Sequence, residues 1–224
     1  MTSESLRTFS LVIAMMAIAG CAGTPVKEPE GPPPPQNLLG STDELQLVTE
    51  LSFEQADRYG GNRVLVVLEI DRTLLVADQQ DPCGSAQSTM QPVQADAANQ
   101  VQRMQEAGLK VIALTSRRPD CHEQTLQQLN HNGFSFEDSA WPPQAGFPEA
   151  FLPEGAVHPV TYENGIIFTS EQDKGLILKA FLSKSGEPFP TLIVMADHEQ
   201  GSLNTVMKTF SRTETKVHAW RYTR

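Results

Sequence analysis

The spacing of apolar residues along the chain predicts alternating strands and helices. Continuous runs of aliphatic and β-branched residues predict strands buried on both faces, at residues 63–69, 109–115 and 191–196. The pair Asn164-Gly165 between apolar stretches predicts a β-hairpin, and residues 216–222 form a last predicted strand. Apolar residues at helical spacing predict helices over 42–59, 93–107, 119–132, 173–183 and 201–210. Helices between strands indicate an α/β fold with a mostly parallel sheet covered on both faces.

The N-terminal segment has the pattern of an export signal. Residues 9–20 form one apolar run of 12 residues, whereas a helix needs about 20 to cross a bilayer. A positive charge at Arg7 before this run and small residues at its end are typical of a secretory signal peptide. The run ends in IAGC at Cys21, which resembles a bacterial lipobox, where the cysteine is lipidated after cleavage. An ordinary signal peptide with a chance cysteine is the alternative.

A proline-rich stretch follows the predicted lipid anchor. Residues 22–40 hold six of the 16 prolines and few residues that could build a core, which is typical of an extended linker. We therefore predict a signal peptide over 1–20, a lipidated linker over 21–41 and one folded domain over 42–224. By resemblance to the sorting of Gram-negative lipoproteins, Ala22 implies anchoring in the outer membrane, facing the periplasm.

The amino-acid composition limits the class of protein and the kinds of molecule that it binds. Apolar residues make up 39% and charged residues 20% of the 224 residues, which suits a globular domain and excludes a multi-span membrane protein. The 27 acidic against 17 basic residues give a net charge of −10, which argues against nucleic acid as the main partner.

If Cys21 carries lipid, Cys83 and Cys121 remain as an even pair. In an exported protein such a pair favours a disulfide, and two buried free thiols are the alternative.

Polar residues directly follow the three predicted central strands. In a parallel sheet, ligands bind beyond the carboxyl ends of the strands, so these residues are expected at one rim. Carboxylates, hydroxyls and a cation in that place suit a phosphate ester with a divalent metal. Any one of them could instead cap a turn. The residues concerned are Glu69, Asp71, Thr73, Thr115, Ser116, Arg117 and Asp197.

Four segments in this order resemble the motifs of the haloacid dehalogenase (HAD) superfamily. They are LVVLEIDRTLL, VIALTSR, the stretch EQDKGLIL around Lys174, and LIVMADH, and the resemblance covers roughly residues 60–224. The stretch VTYENGIIFTSEQDKG and the terminal RYTR resemble a bacterial branch named only as a domain of unknown function. The resemblance implies a Rossmann-like three-layer sandwich, with residues 133–157 as a small cap or a surface loop.

The resemblance also implies roles for the rim residues. In active relatives an aspartate attacks phosphorus, a second aspartate two residues later is the acid and base, and Mg²⁺ bridges the nucleophile and the fourth motif. Here Asp71 takes the acid/base position, and Thr115 and Lys174 the phosphate-binding ones. Thr73, Ser116 and Arg117 are the implied substrate ligands. The implied Mg²⁺ ligands are Glu69, Asp71 and Asp197.

Two positions depart from the HAD pattern. Glu69 stands where the nucleophilic aspartate is expected, and its extra methylene moves the carboxylate, where a shift near 1 Å can cost ~10²-fold in rate. Ala196-Asp197 stands where this branch has two adjacent acids. A register with Asp71 as nucleophile and Thr73 two residues on is the alternative, but it would leave no acid/base carboxylate.

The sequence therefore predicts an envelope lipoprotein with a weak or degenerate phosphatase site, which acts by binding a phosphorylated small molecule or a protein. An active Mg²⁺-dependent phosphomonoesterase and a purely structural lipoprotein are the alternatives. In the HAD arrangement the strands before Cys83 and Cys121 are neighbours, which implies a disulfide between two rim loops.

Overall fold

A seven-stranded, mostly parallel sheet forms the centre of the protein. The structure, a computed structural model, describes residues 31–77, 83 and 90–224, and residues 32–224 form one compact unit. The strands are β1 (Leu38–Thr42), β2 (Val64–Leu68), β3 (Leu75–Ala77), β4 (Met90–Pro92), β5 (Lys110–Thr115), β6 (Thr161–Glu163), β7 (Ile166–Phe168), β8 (Leu192–Asp197) and β9 (Lys216–Tyr222). The α-helices are α1 (Leu45–Tyr59), α2 (Ala97–Glu106), α3 (His122–His131), α4 (Lys174–Ser185) and α5 (Gln200–Phe210).

The strand order in the sheet is β1-β9-β8-β2-β5-β7-β6. Every neighbouring pair is parallel except β6 and β7, which form the predicted hairpin across Asn164-Gly165. Strands β3 and β4 pair with each other outside this sheet. The sequence prediction of a mixed α/β fold with a mostly parallel sheet and a hairpin is confirmed.

Alternate residues of β2 pack into two separate cores, one on each face of the sheet. Val66 belongs to the core that includes residues of α1, α2 and α3, while Val67 belongs to the core that includes residues of α4 and α5. All five residues of β2 are buried. This explains the continuous apolar run in the sequence, because a strand covered by helices on both faces has no solvent-facing side.

The sheet begins earlier in the chain than the sequence predicts. Leu38–Thr42 pairs with β9 in parallel, with Leu38 opposite His218, although residues 38–41 fall in the predicted linker. The domain boundary predicted at residue 42 therefore lies at the end of a strand. Leu38 and Leu39 are exposed on this edge strand, so no alternation of buried and exposed residues marks it in the sequence.

Residues 133–157 contain neither a helix nor a multi-residue strand. Phe134, Phe136 and Trp141 from this segment are buried in the two cores, and an isolated bridge pairs Phe151 with Val160. The aromatic residues thus anchor an irregular segment against the domain.

A disulfide joins Cys83 to Cys121, whose Cα atoms lie 5.3 Å apart. The structure therefore agrees with the predicted bond between the segment after β3 and the start of α3.

The predicted signal peptide and the lipidation site at Cys21 lie outside the described residues. Within the described ranges, no helix has the length and apolar character required to cross a bilayer.

Candidate functional site

The predicted site residues gather at the carboxyl edge of three adjacent strands. Leu68 at the end of β2 lies opposite Ala196 of β8 and Ala113 of β5. The residues that follow these three positions therefore lie side by side at one edge of the sheet. Glu69 directly follows β2, and Thr115 and Asp197 are the last residues of β5 and β8. The order of the strands in the sheet therefore brings together residues that are far apart in the chain.

Lys174 joins this edge from the N-terminus of α4. The Asp173 side chain caps that helix by accepting a hydrogen bond from Leu176 N at 3.0 Å. Gly175 follows, and a Cβ atom there would meet the Thr205 carbonyl oxygen of α5. The close approach of α4 to α5 depends on this glycine. Lys174 itself is 2% exposed.

Lys174 bridges two buried carboxylates. Its Nζ donates to Asp197 Oδ2 at 2.7 Å and forms an ion pair with Glu69 Oε2. The side chains of Lys174, Glu69 and Asp197 are exposed by only 1%, 2% and 0%. Burial lowers the pKa of Lys174, and the charge of Asp197 opposes that shift. The ammonium thus stands between the two carboxylates that the HAD resemblance assigns to nucleophile and metal ligand.

The second oxygen of Glu69 is bound to the chain's own backbone. Glu69 Oε1 accepts hydrogen bonds from Ile70 N at 2.9 Å and from Asp71 N at 3.3 Å. Glu69 Oε2 faces Lys174 as an ion pair, and it accepts no hydrogen bond within the described residues. The Glu69 side chain is therefore folded back onto the loop that follows it.

Asp71 is held by an arginine that the sequence predicts as a substrate ligand. Arg117 Nε and Nη2 donate to the two carboxylate oxygens of Asp71, each at 2.8 Å. The remaining Nη1 donates to Thr125 and Gln128, at 2.9 and 2.8 Å. Arg117 is buried and makes four side-chain hydrogen bonds, two of which hold the Asp71 carboxylate. No sequence signal linked these two residues.

Side-chain and backbone hydrogen bonds hold the loops at this edge of the sheet. Thr73 Oγ1 accepts a hydrogen bond from His198 N at 3.1 Å, which links the loops after β2 and β8. Thr115 Oγ1 accepts from Arg117 N at 3.3 Å, and the Ser116 carbonyl accepts from Glu171 N at 2.8 Å. Thr73 and Thr115 are fully buried, and Ser116 is partly exposed.

Sequence reasoning missed the loop that leads into α4. Ser170 and Glu171 have φ angles of 54° and 59°, a left-handed conformation that is uncommon for residues other than glycine. Backbone hydrogen bonds from these two residues to Arg117 O and Ser116 O hold the loop against the segment after β5. Neither residue type signals this conformation in the sequence.

The carboxylates do not fit a Mg²⁺ site in this arrangement. Oxygen ligands are the type that Mg²⁺ prefers. However, Lys174 and Arg117 already pair with Glu69, Asp197 and Asp71, and Asp197 Oδ1 accepts from Glu199 N at 2.8 Å. In the part of the chain that the structure describes, no three His, Cys, Asp or Glu side chains are placed to hold a metal ion. The positive charges that a metal would supply come from the chain itself.

An open surface groove of about 640 Å³ begins at Arg118, the residue that follows Arg117. It contains none of the predicted catalytic or metal-binding residues. Its lining residues are Arg118, Pro119, Asp120, Ala150, His158, Pro159, Ser170 and Glu171.

Comparison with known protein families identifies the family of this chain. Residues 83–224 match the family described as Protein of unknown function (DUF2608). The chain belongs to the DUF2608 family. This agrees with the expectation of a family named only as a domain of unknown function. The DUF2608 match begins after the first motif, so Glu69 and Asp71 lie outside it.

A relative of this DUF2608 protein occurs in Chlamydia pneumoniae, under the provisional name of an outer membrane protein. It is 30% identical over 112 residues, which is 50% of this chain and 39% of the relative. The match therefore spans about two-fifths of the relative's length. No solved structure matches the chain.

Proposed function

We propose that this protein is a HAD-like domain without phosphatase activity, held in the cell envelope by a lipid on Cys21, which acts by binding. The observation that carries this proposal is the internal pairing of every charged residue at the implied catalytic positions. Lys174 is shared by Glu69 and Asp197, and Asp71 is clamped by Arg117. A phosphoryl group would find neither a free nucleophile nor a free cation there.

The fold supports the HAD-like part of the proposal. The four motif segments lie in the order and at the sheet edge that the resemblance implies, with Glu69 after β2, Thr115 at the end of β5 and Asp197 at the end of β8. Lys174 enters from the start of the preceding helix. Residues of these types at this edge are the ones that the resemblance implies, and their charges pair with each other.

The envelope location is supported by separate features of the chain. The IAGC sequence at Cys21 resembles a lipobox, and the Chlamydia pneumoniae relative is named as an outer membrane protein. The disulfide between Cys83 and Cys121 suits an oxidising compartment outside the cytoplasm. We place the domain on the periplasmic side of the outer membrane.

The groove beside the ion pairs is the surface where we expect a ligand or protein to bind. Its volume of about 640 Å³ is within the usual range of ligand sites. Arg118 and His158 supply polar groups at its rim. Because it lacks the implied catalytic residues, a bound molecule would be recognised there without being hydrolysed.

Hydrolysis of a generic aryl phosphate tests the proposal. Wild type and Glu69→Asp are assayed with and without Mg²⁺, and circular dichroism checks that both are folded. We expect no turnover by the wild type in either condition. Mg²⁺-dependent turnover by the wild type would establish a phosphomonoesterase and overturn the proposal. Turnover by Glu69→Asp alone would support a site lost through the change of this one residue.

A further inference from the structure

The two ends of the central sheet differ in how the chain covers them. At one end, Phe147 N donates to Tyr162 O of β6 at 2.9 Å. Phe151 forms a bridge with Val160 just before the same strand. At the other end lies β1, which pairs with β9 along one edge, and no strand within the described residues pairs with its outer edge. The outer edge of β1 is therefore an open pairing surface.

The sequence of β1 does nothing to block that edge. Exposed edge strands commonly carry a charged residue or a proline, which prevents pairing with another chain. β1 reads LLGST, the proline run ends at Pro35 before it, and no charged residue occurs over 31–42. Leu38 and Leu39 are 42% and 46% exposed and point to opposite faces of the sheet, because successive side chains alternate. An uncharged, partly apolar edge of this kind favours the addition of a further strand.

The backbone groups of Leu39 and Ser41 face this outer edge. Thr42 O accepts a hydrogen bond from Thr223 N, the residue after β9, so Thr42 directs its polar groups toward β9. Successive residues of a strand direct their N–H and C=O groups to alternate edges. Gly40 therefore faces β9 as well, and Leu39 and Ser41 present four backbone groups outward.

We propose that β1 is a dimer interface, where it pairs antiparallel with β1 of a second copy around a two-fold axis at Gly40. A two-fold interface uses the same patch on both subunits, so that patch must complement itself. In this register Leu39 lies opposite Ser41 of the second copy. The outward N–H and C=O groups of these two residues then bond to each other, as they do in a hydrogen-bonded antiparallel pair. All four outward groups of each copy find a partner.

Charge favours a second copy as the occupant and selects this register. Because the chain has a net charge of −10, two copies approach most easily through an uncharged surface. Asp43 is the first charged residue after β1, and in the proposed register it lies opposite Asn37 of the second copy. Its carboxylate thus faces an amide. Shifting the pairing by two residues in either direction would place Asp43 opposite Leu39 or Pro35, which offer no polar side chain.

Sedimentation velocity of the whole chain in a density-matched non-ionic detergent tests the inference. Ser41→Pro removes an outward N–H, so it keeps the pairing with β9 and deletes one hydrogen bond from each half of the dimer. Ser41→Ala keeps that N–H and is the matched control. We expect wild type and Ser41→Ala to form dimers, and Ser41→Pro to dimerise at least about tenfold more weakly, a difference of about 1.4 kcal/mol.

A second pair of variants keeps the test decisive if the proline variant does not fold, as checked by circular dichroism. Leu39→Glu places a carboxylate diagonal to Asp43 of the second copy and to its own counterpart, and like charges across strands repel. Leu39→Gln has the same length without the charge and is the control. We expect the glutamate variant to be monomeric at concentrations where the glutamine variant is a dimer.

Hydrogen exchange measured by mass spectrometry reports on the strand itself. In the wild type, exchange in a peptide covering residues 36–44 should slow as the protein concentration rises, because dimerisation buries the outward N–H groups. In Ser41→Pro the exchange should not depend on concentration. Concentration-independent exchange in a dimeric wild type would contradict the assignment of the interface to β1.

A wild type that sediments as a monomer would overturn the inference, even if an added peptide of another sequence pairs with β1. A dimer that Ser41→Pro and Leu39→Glu leave intact would overturn it equally, because the contact would then lie elsewhere. The inference goes beyond the proposed function and does not rest on it, since β1 contains none of the candidate site residues. Aryl phosphate hydrolysis would contradict the proposed function and leave the dimer untouched.

Discussion

Arg117 and Asp71 form an ion pair with two hydrogen bonds between loops that are 46 residues apart in the chain. Nε and Nη2 of Arg117 each donate to one carboxylate oxygen of Asp71 at 2.8 Å. The arginine side chain is 1% exposed and the aspartate 25%, so the pair lies at the boundary between core and solvent. Both oxygens of the carboxylate that the HAD resemblance assigns to acid and base catalysis therefore accept hydrogen bonds from Arg117.

Loss of the Arg117 clamp is expected to destabilise the fold. Arg117→Met removes the ion pair with Asp71 and the hydrogen bonds that Arg117 donates to Thr125 and Gln128, and breaking a buried pair in this way costs about 3 kcal/mol. Arg118→Met is the matched control, since the Arg118–Asp120 pair is largely exposed and surface pairs contribute less than about 1 kcal/mol. Urea unfolding followed by tryptophan fluorescence measures both. Equal midpoints for the two variants would contradict the clamp.

Gly175 sets the distance between α4 and α5. Gly175→Ala places a methyl group against the Thr205 carbonyl oxygen, and overpacking of this kind costs about 1–3 kcal/mol. Gly201→Ala is the control, because nothing lies within 4 Å of a Cβ at that position in α5. We expect it to be neutral or to stabilise by up to about 1 kcal/mol. Thermal unfolding of both variants checks the contrast, which fails if Gly175→Ala is as stable as wild type.

The Cys83–Cys121 disulfide is expected to stabilise the mature protein. It closes a loop with a sequence separation of 38, and such a crosslink contributes about 2–4 kcal/mol. Reductant should therefore lower the unfolding midpoint of the wild type. It should leave Cys83→Ser/Cys121→Ser unchanged. A mass-spectrometric count that finds both cysteines as free thiols in unreduced protein would contradict the bond.

Acid is expected to weaken the fold partly through His218. Burial lowers its pKa below 6.5, and its Nε2 lies 3.1 Å from the Gln36 carbonyl. As the pH falls through 6.5, the unfolded chain takes up a proton before the folded chain does, so stability decreases toward the folded pKa. The pKa of His198 is lowered too, with burial as the main cause, and adds in the same direction.

His218→Gln isolates this contribution to the pH dependence. Glutamine can still donate to the Gln36 carbonyl but does not titrate. The free energy of unfolding, measured above and below pH 6.5, should depend less steeply on pH in the variant than in wild type. An unchanged slope would show that the protonation of His218 is not linked to folding.

Membrane attachment is expected to depend on Cys21. The lipobox resemblance assigns the acyl chains to this residue, and more than one chain is needed for stable anchoring. Wild-type protein expressed in a Gram-negative host should sediment with the outer membrane. Cys21→Ser should appear in the soluble fraction. A soluble wild type would favour an ordinary signal peptide, and retention of the variant in the membrane would indicate another mode of attachment.

Local patterns in the sequence determined the order of the five helices, of all strands other than β1, β3 and β4, and the position of the candidate site. The buried runs that became β2, β5 and β8 are continuous in the sequence, because helices cover both faces of the sheet. Parallel strands end at one edge, so the residues that follow them could be expected to meet there. Membership of a family of unknown function also followed from short motifs.

Only the tertiary structure decided which of these residues are paired. Strand β1 pairs with β9, although most of the chain separates the two strands in sequence. Leu38 lies opposite His218, and no local pattern encodes that contact. Likewise, the partners of Arg117 and Lys174 depend on distances of a few ångströms between loops that meet only in the folded sheet. Residue types and spacing could predict a cluster of charges, but the geometry of assembly determines whether those charges face a ligand or neutralise each other.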